Sequence, residues 1–250
     1  MAAYDIVHVA IAPPPALEAN LIERVAAIVN KNSYETRLLL TGAIPRIIAH
    51  YPGMQTAESV AQSLRDIGLT TIVLRDSELR KPSQIFKALT LEFGEQEILF
   101  RDRMGHESRV AATDAFLILV GKMRTYAEED MTKTEMKLNW GATLLTGGIP
   151  IWRRVTQKTS DSAVQTELFA RIYDQKSPEF SVELLQHHMN YSFLGAKKAP
   201  SSLVNFNAVV ARLREVFPQA IFDDRLAKPS RAADAETDCK LLYFSHLAMK

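Results

Sequence analysis

Ala57-Glu58-Ser59-Val60-Ala61-Gln62-Ser63-Leu64-Arg65-Asp66-Ile67-Gly68-Leu69-Thr70-Thr71-Ile72-Val73-Leu74 changes its hydrophobic period part-way along, and that change decides the first part of the fold. Ala57, Val60, Ala61, Leu64 and Ile67 fall three or four apart, which predicts a helix with one apolar face. Thr56 stands where a hydroxyl can cap its start. Gly68 supplies the exit, because glycine takes the left-handed cap position without steric cost. From Thr70 to Leu74 the run is β-branched, and it predicts a strand immediately after the helix.

Upstream, Ile6 to Ala12 is a short apolar run stopped by Pro13, Pro14 and Pro15, which cannot donate ladder hydrogen bonds. It predicts a buried strand. Leu21, Val25, Ile28 and Val29 then recur at helical spacing behind Glu18, and a second helical piece runs from Tyr34 to Leu40 and ends at Gly42. Ile44 to His50 reads as a strand or an extended link, with Pro45 confining it to an edge position. Residues 1–80 therefore read strand, helix, helix, strand, helix, strand, the order of a small α/β sandwich.

Thr36 to Leu40 through Ile44-Pro45, then Ala57-Glu58 through Leu64, Gly68 and the closing strand, resembles the carboxy-terminal domain of the bacterial ribosomal stalk protein, a fold shared with the adaptor of the Clp protease. The likeness covers residues 5–75. It implies a domain that presents a helical face to protein partners, and on the helix above that face carries Glu58, Gln62 and Arg65. Glu23 to Ala27 lacks the glycine pattern of the stalk domain's factor-binding region, so the resemblance brings no binding residue with it.

After a join at 76–83 the texture changes. Gln84 to Phe93, Glu97 to Arg101, Arg109 to Ala112 and Ala115 to Lys122 are short segments punctuated by Gly94, Gly105 and Gly121, and they predict a β-meander with a hairpin loop at Asp102 to Gly105. Further strands are expected at Ile151 to Gln157, Glu167 to Tyr173 and Phe180 to Leu184. Ser201 heads a helix from Ser202 to Phe217 whose stripe is Leu203, Phe206, Val210, Leu213 and Phe217. Residues 84–250 thus read as a strand-rich domain plugged by a helix, a topology resembling pleckstrin-homology-like domains. Asp223 to Ala235 suits a surface loop, and Leu241 to Phe244 a docked last strand or helix. Leu39 to Pro45 nearly recurs as Leu144 to Pro150, one echo rather than a repeat. The fold class is α+β.

Composition narrows the function classes. With 30 basic against 29 acidic residues, the formal charge of +1 argues against a surface tuned throughout to nucleic acid or anionic lipid. No apolar run approaches the roughly 20 residues of a spanning helix, so no transmembrane segment is expected. One cysteine, Cys239, cannot form an internal disulfide, and the amino terminus lacks a signal-peptide pattern; both point to the cytoplasm.

No P-loop, dinucleotide fingerprint, HExxH, GxSxG or CxxC is present, and no cofactor is expected. Catalysis is left open, since triads assemble from distant positions. His187 and His188 are adjacent and project differently. Asp76, Glu78, Asp102 and His106 lie near strand ends, where they form either an acid/base or metal site or solvated turns. Asp223-Asp224 beside Arg225 reads as an ion-paired anchor, and Cys239 as an inert thiol. Arg153 and Arg154 beside Trp152, and Lys197 and Lys198 ahead of a helix start, are the anion-binding candidates. Two readings follow: a non-catalytic module for protein partners or self-association, and an enzyme or small-molecule sensor with a pocket between the two parts, drawing on Asp76, Glu78 and the Asp102 to His106 loop.

Overall fold

The computed structural model describes residues 5–138, 152–175, 179–228 and 235–250, and of residues 124–138, 152–165 and 235 the backbone alone. The chain is an α+β protein. Its first layers follow the expected order: β1 (Val7–Ile11), α1 (Ala19–Val29), α2 (Ser33–Leu40), β2 (Arg46–Tyr51), α3 (Met54–Arg65) and β3 (Thr71–Arg75). The strands form an antiparallel sheet in the order β2-β1-β3, with the Pro45-led strand on an edge. Val7, Val9 and Ile11 turn one face of β1 toward Ile22, Val25, Ala57, Ala61 and Leu64 of the helices, which buries the apolar stripes read from the sequence. α3 starts three residues earlier than a cap at Thr56 suggested. Gly53 is its N-cap, because the Pro52-Gly53 turn delivers the chain straight into the helix.

A short helix, α4 (Asp76–Arg80), leads into β4 (Gln84–Ala88), β5 (Thr90–Phe93), β6 (Glu97–Arg101), β7 (Glu107–Ala111), β8 (Ala115–Leu138), β9 (Trp152–Asp174), β10 (Phe180–Leu185), α5 (Ser202–Val216), β11 (Ile221–Leu226) and α6 (Ala235–Ala248). Of the expected meander only β5-β6-β7 form one antiparallel sheet, with Gly105 in its hairpin loop at φ +86° as that loop requires; Gln84 to Phe93 is split into β4 and β5, and β4 and β8 belong to another sheet. A second, five-stranded sheet has the order β11-β8-β9-β10-β4, with β4 parallel to β10 and β11 parallel to β8. α5 lies between β10 and β11 in the chain, so it is a crossover helix of this sheet, and the helix that ends the chain is α6.

Several local expectations are corrected. Asp223 to Leu226 is strand, not loop, and Asp223 is buried. The two segments expected at 151–157 and 167–173 belong to one continuous strand, β9. Ser201 is the N-cap of α5, but its hydroxyl makes no cap hydrogen bond, and Leu203 is exposed; the buried stripe is Phe206, Val209, Val210, Leu213 and Val216. Gly121 does not break β8. A Cβ there would stand 2.5 Å from Cε1 and Cζ of Phe169 and 2.8 Å from Cβ of Leu226, so the glycine admits a close approach of side chains. Gly121→Ala is expected to lower stability by about 1–3 kcal/mol through overpacking against the fully buried Phe169 ring. Denaturant unfolding measures it, and an unchanged midpoint would contradict the contact.

Alternation assigns the two faces of the five-stranded sheet. Ile118, Val120, Ala170, Ile172, Val182 and Leu184 face α5 and the meander. Leu117, Leu119, Phe169, Tyr173 and Leu185 face α6 through Cys239, Leu242 and Tyr243. The same helix meets the far face of the first sheet, where Leu241 packs with Ala10, Ile72 and Leu74. α6 is thus apolar on more than one side because it has a sheet on more than one side, the composition of a buried helix. Lys240 Nζ donates to the carbonyls of Leu79, at 2.8 Å, and Lys81, anchoring the segment read as the join.

By compactness the chain divides into a first unit, Met1–Met123 with Leu168–Lys250, and a second, Arg124–Glu167. Among the described residues no helix is long and apolar enough to cross a membrane. The echo at 144–150 lies outside the described residues.

Candidate functional site

β1 and β2 set His8 directly opposite His50, and β1 and β3 set Val7 opposite Arg75, the residue before Asp76. Strand alternation turns His8, with Ala10, to the face covered by α6, so the imidazole is buried. Its two nitrogens are both engaged: Nε2 meets Asp76 Oδ1 at 2.9 Å, and Nδ1 meets His50 Nδ1 at 2.7 Å. Asp76 Oδ2 accepts from Arg80 Nε at 2.6 Å, a pair within α4. Hydrogen bonds from Arg80 and His8 hold the Asp76 carboxyl below the usual carboxylate range. An ionised carboxylate only accepts, so His8 carries a proton on Nε2; in its neutral form it offers a lone pair at Nδ1, to which His50 donates its Nδ1–H. The His50 pKa is lowered, first by desolvation, then by His8 and Lys31.

Two donors on one zinc stand roughly 3.3 Å apart when each Zn–N bond is about 2.0–2.1 Å. The 2.7 Å contact, with ring centroids 4.9 Å apart, instead sets the two nitrogens head-on along a shared proton. Among the described residues no group of three or more His, Cys, Asp and Glu side chains is placed to hold a metal ion.

His8, Asp76 and Arg80 form one side of a cleft of about 530 Å³ whose other side is α6, through Glu236 and Lys240. Of the residues expected to gather around a pocket, Asp76 lines it; Glu78 and the Asp102 to His106 loop do not. Glu78 accepts from the Arg75 backbone N–H at 3.1 Å, and Asp102 organises its own hairpin, accepting from the N–H groups of Met104 and His106 and from His106 Nδ1 at 2.8 Å.

Behind the cleft lies a buried ion-pair network. Arg171 on β9 stands opposite Glu183 on β10 and donates Nε to its Oε2 at 2.6 Å and Nη1 to Glu236 Oε2 at 2.8 Å; Ser83 donates to the other oxygen of Glu236. Burial by itself would lower the Arg171 pKa, but the carboxylates of Glu183 and Glu236 reverse it and keep the guanidinium charged. Burial pushes the Cys239 thiol up to about 12, which makes it a poor nucleophile at neutral pH. Asp223 lies in a further cluster: burial would raise its pKa, but His246, at 2.8 Å, and Arg225 hold it well below the carboxylate range. Arg225 also reaches the Ala43 carbonyl at 3.1 Å, fastening β11 to the loop after α2.

Glu58, Gln62 and Arg65 come together on the outer side of α3, with Arg65 Nη1 2.5 Å from Glu58 and 3.4 Å from Gln62. Lys197 and Lys198 are exposed at the end of a 3-10 turn before α5. Arg153 and Arg154 lie on β9, and their side chains fall outside the described residues. His187 Nδ1 and Ser202 Oγ are 3.4 Å apart. The histidine pair was missed because Ile6 to Ala12 reads as a plain buried strand; only its register with β2 brings His8 to His50. No family model, curated protein or solved structure matches the chain.

Proposed function

We propose that the protein is an interaction or assembly module that works through its second unit. One observation carries this reading. β8 and β9 run for 24 and 23 residues, whereas the described pairing of β8 with β11 ends at Gly121 and that of β9 with β10 begins at Phe169. Among the described residues the second unit is therefore two strands without a third strand or a helix, and a two-stranded ribbon by itself is marginal in water. Among the described residues its outer edges pair with no further strand, and such edges offer backbone groups that a partner strand or a second copy can take up. The outer face of α3, with Glu58, Gln62 and Arg65, is a second candidate surface, supported by the likeness of residues 5–75 to the stalk domain as an analogy of fold alone.

Replacing residues 124–167 by an Asn-Gly turn tests the reading. The full chain is expected to sediment as a concentration-dependent assembly, and the shortened chain as a monomer with an unchanged melting temperature. Identical, concentration-independent monomers would overturn self-association. Capture of the same protein partner by both chains would overturn the role of the ribbon.

A second reading, a small-molecule sensor, is favoured by the cleft beside His8. It ranks behind because the cleft's polar groups already satisfy one another: Asp76 holds Arg80 and His8, and Lys240 holds two carbonyls.

A further inference from the structure

We propose that Nε2 of His50 is an activated nucleophile and a site of covalent modification by acyl donors of the anhydride type. The argument is the order of the hydrogen bonds. Arg80 holds Asp76, Asp76 fixes the tautomer of buried His8, and His8 presents its Nδ1 lone pair to the Nδ1–H of His50 at 2.7 Å. That is a nucleophile, a base within hydrogen-bond reach of it, and a third group orienting the base. His50 is an exposed residue, and its Nε2 has no hydrogen-bond partner among the described residues, whereas the base behind it, His8, is buried.

In the modification step the Nε2 lone pair attacks the acyl carbon. The bond from that carbon to the leaving oxygen breaks, and the leaving group departs with the electron pair. The Nδ1 proton of His50 passes to Nδ1 of His8, so His50 ends as a neutral N-acylimidazole and His8 as an imidazolium facing Asp76. His50 is the group that touches the donor; His8 is the base, and Asp76 and Arg80 are positioning residues. Lys31 is the cation near His50, and Glu236 and Lys240 of α6 share the cleft with His8. The neutral ring is the reactive form, and burial foremost, with the Lys31 cation, extends it to lower pH.

Diethylpyrocarbonate, a carbonic anhydride, is the probe, with each histidine followed by peptide mass spectrometry in the intact protein. His106 is the internal reference, an exposed imidazole bonded to Asp102 with no second histidine behind it. His50 is expected to react at least about tenfold faster than His106, within the range of general-base assistance. Its rate is also expected to hold as pH falls through the range where free imidazole loses reactivity. Asp76→Asn, folded by circular dichroism, is expected to bring His50 down to the His106 rate and restore the pH profile of free imidazole. A wild-type His50 no faster than His106 would overturn the proposal, and that comparison needs no variant. So would an unchanged rate and profile in folded Asp76→Asn.

Discussion

Arg171→Met is expected to lower the free energy of unfolding by about 3–5 kcal/mol, the cost of leaving a buried carboxylate without its cation. The side chains of Arg171 and Glu183 are 5% and 2% exposed, so water cannot replace the lost guanidinium at Glu183. Glu236, at 36%, can rehydrate and contributes less. Removing both charges separates the two effects. Arg171→Met with Glu183→Leu leaves only the partly exposed Glu236 without its guanidinium, and it is expected to recover most of the loss, because apolar groups of similar volume often replace a buried pair without penalty. Urea unfolding of the two single variants and the double one measures the coupling. A single variant within about 1 kcal/mol of the native chain, the range of an exposed pair, would show that water reaches the network.

Phe206→Ala is expected to cost about 3–5 kcal/mol, the usual loss for truncating a buried aromatic ring. Phe206 is 0% exposed and packs in the core between the five-stranded sheet and the meander, so the cavity opens where both layers meet. Leu203→Ala, one turn earlier on the same helix, is expected to stay within about 0.5 kcal/mol, as exposed substitutions do. The contrast tests which face of α5 is buried. Equal losses at the two positions would restore the stripe read from the sequence.

The two residues also show how far pattern reading reaches. Spacing alone put α5 at 202–217 with Phe206, Val210 and Leu213 inside, and the structure agrees within a residue. It misplaced Leu203, because the buried arc runs through Asn205, Phe206, Val209, Leu213 and Val216, and position 203 falls outside it. Asp223 was misread for a related reason. A carboxylate in a polar stretch signals a loop until His246 and Arg225, from α6 and β11, are near enough to hold it.

Among the candidate site residues, Glu58, Gln62 and Arg65 were legible as one face because helical spacing is local, and Asp102 with His106 as one turn because they are close in sequence. Asp76 was singled out, but not its partners, which stand 68 residues away at His8 and, through His8, at His50.

Local chemistry by itself determined the strand, helix, helix, strand, helix, strand order of the first layers, the β6–β7 hairpin with its Gly105 turn, and the α+β class, because period, β-branching and glycine act within a few residues. Tertiary structure alone decided that α6 lies between two sheets, that Arg171 meets Glu183 and Glu236, and that His8 meets both Asp76 and His50. Those meetings depend on strand register and layer order. Register is set by which faces find a core to bury against, a property of the whole chain rather than of any segment.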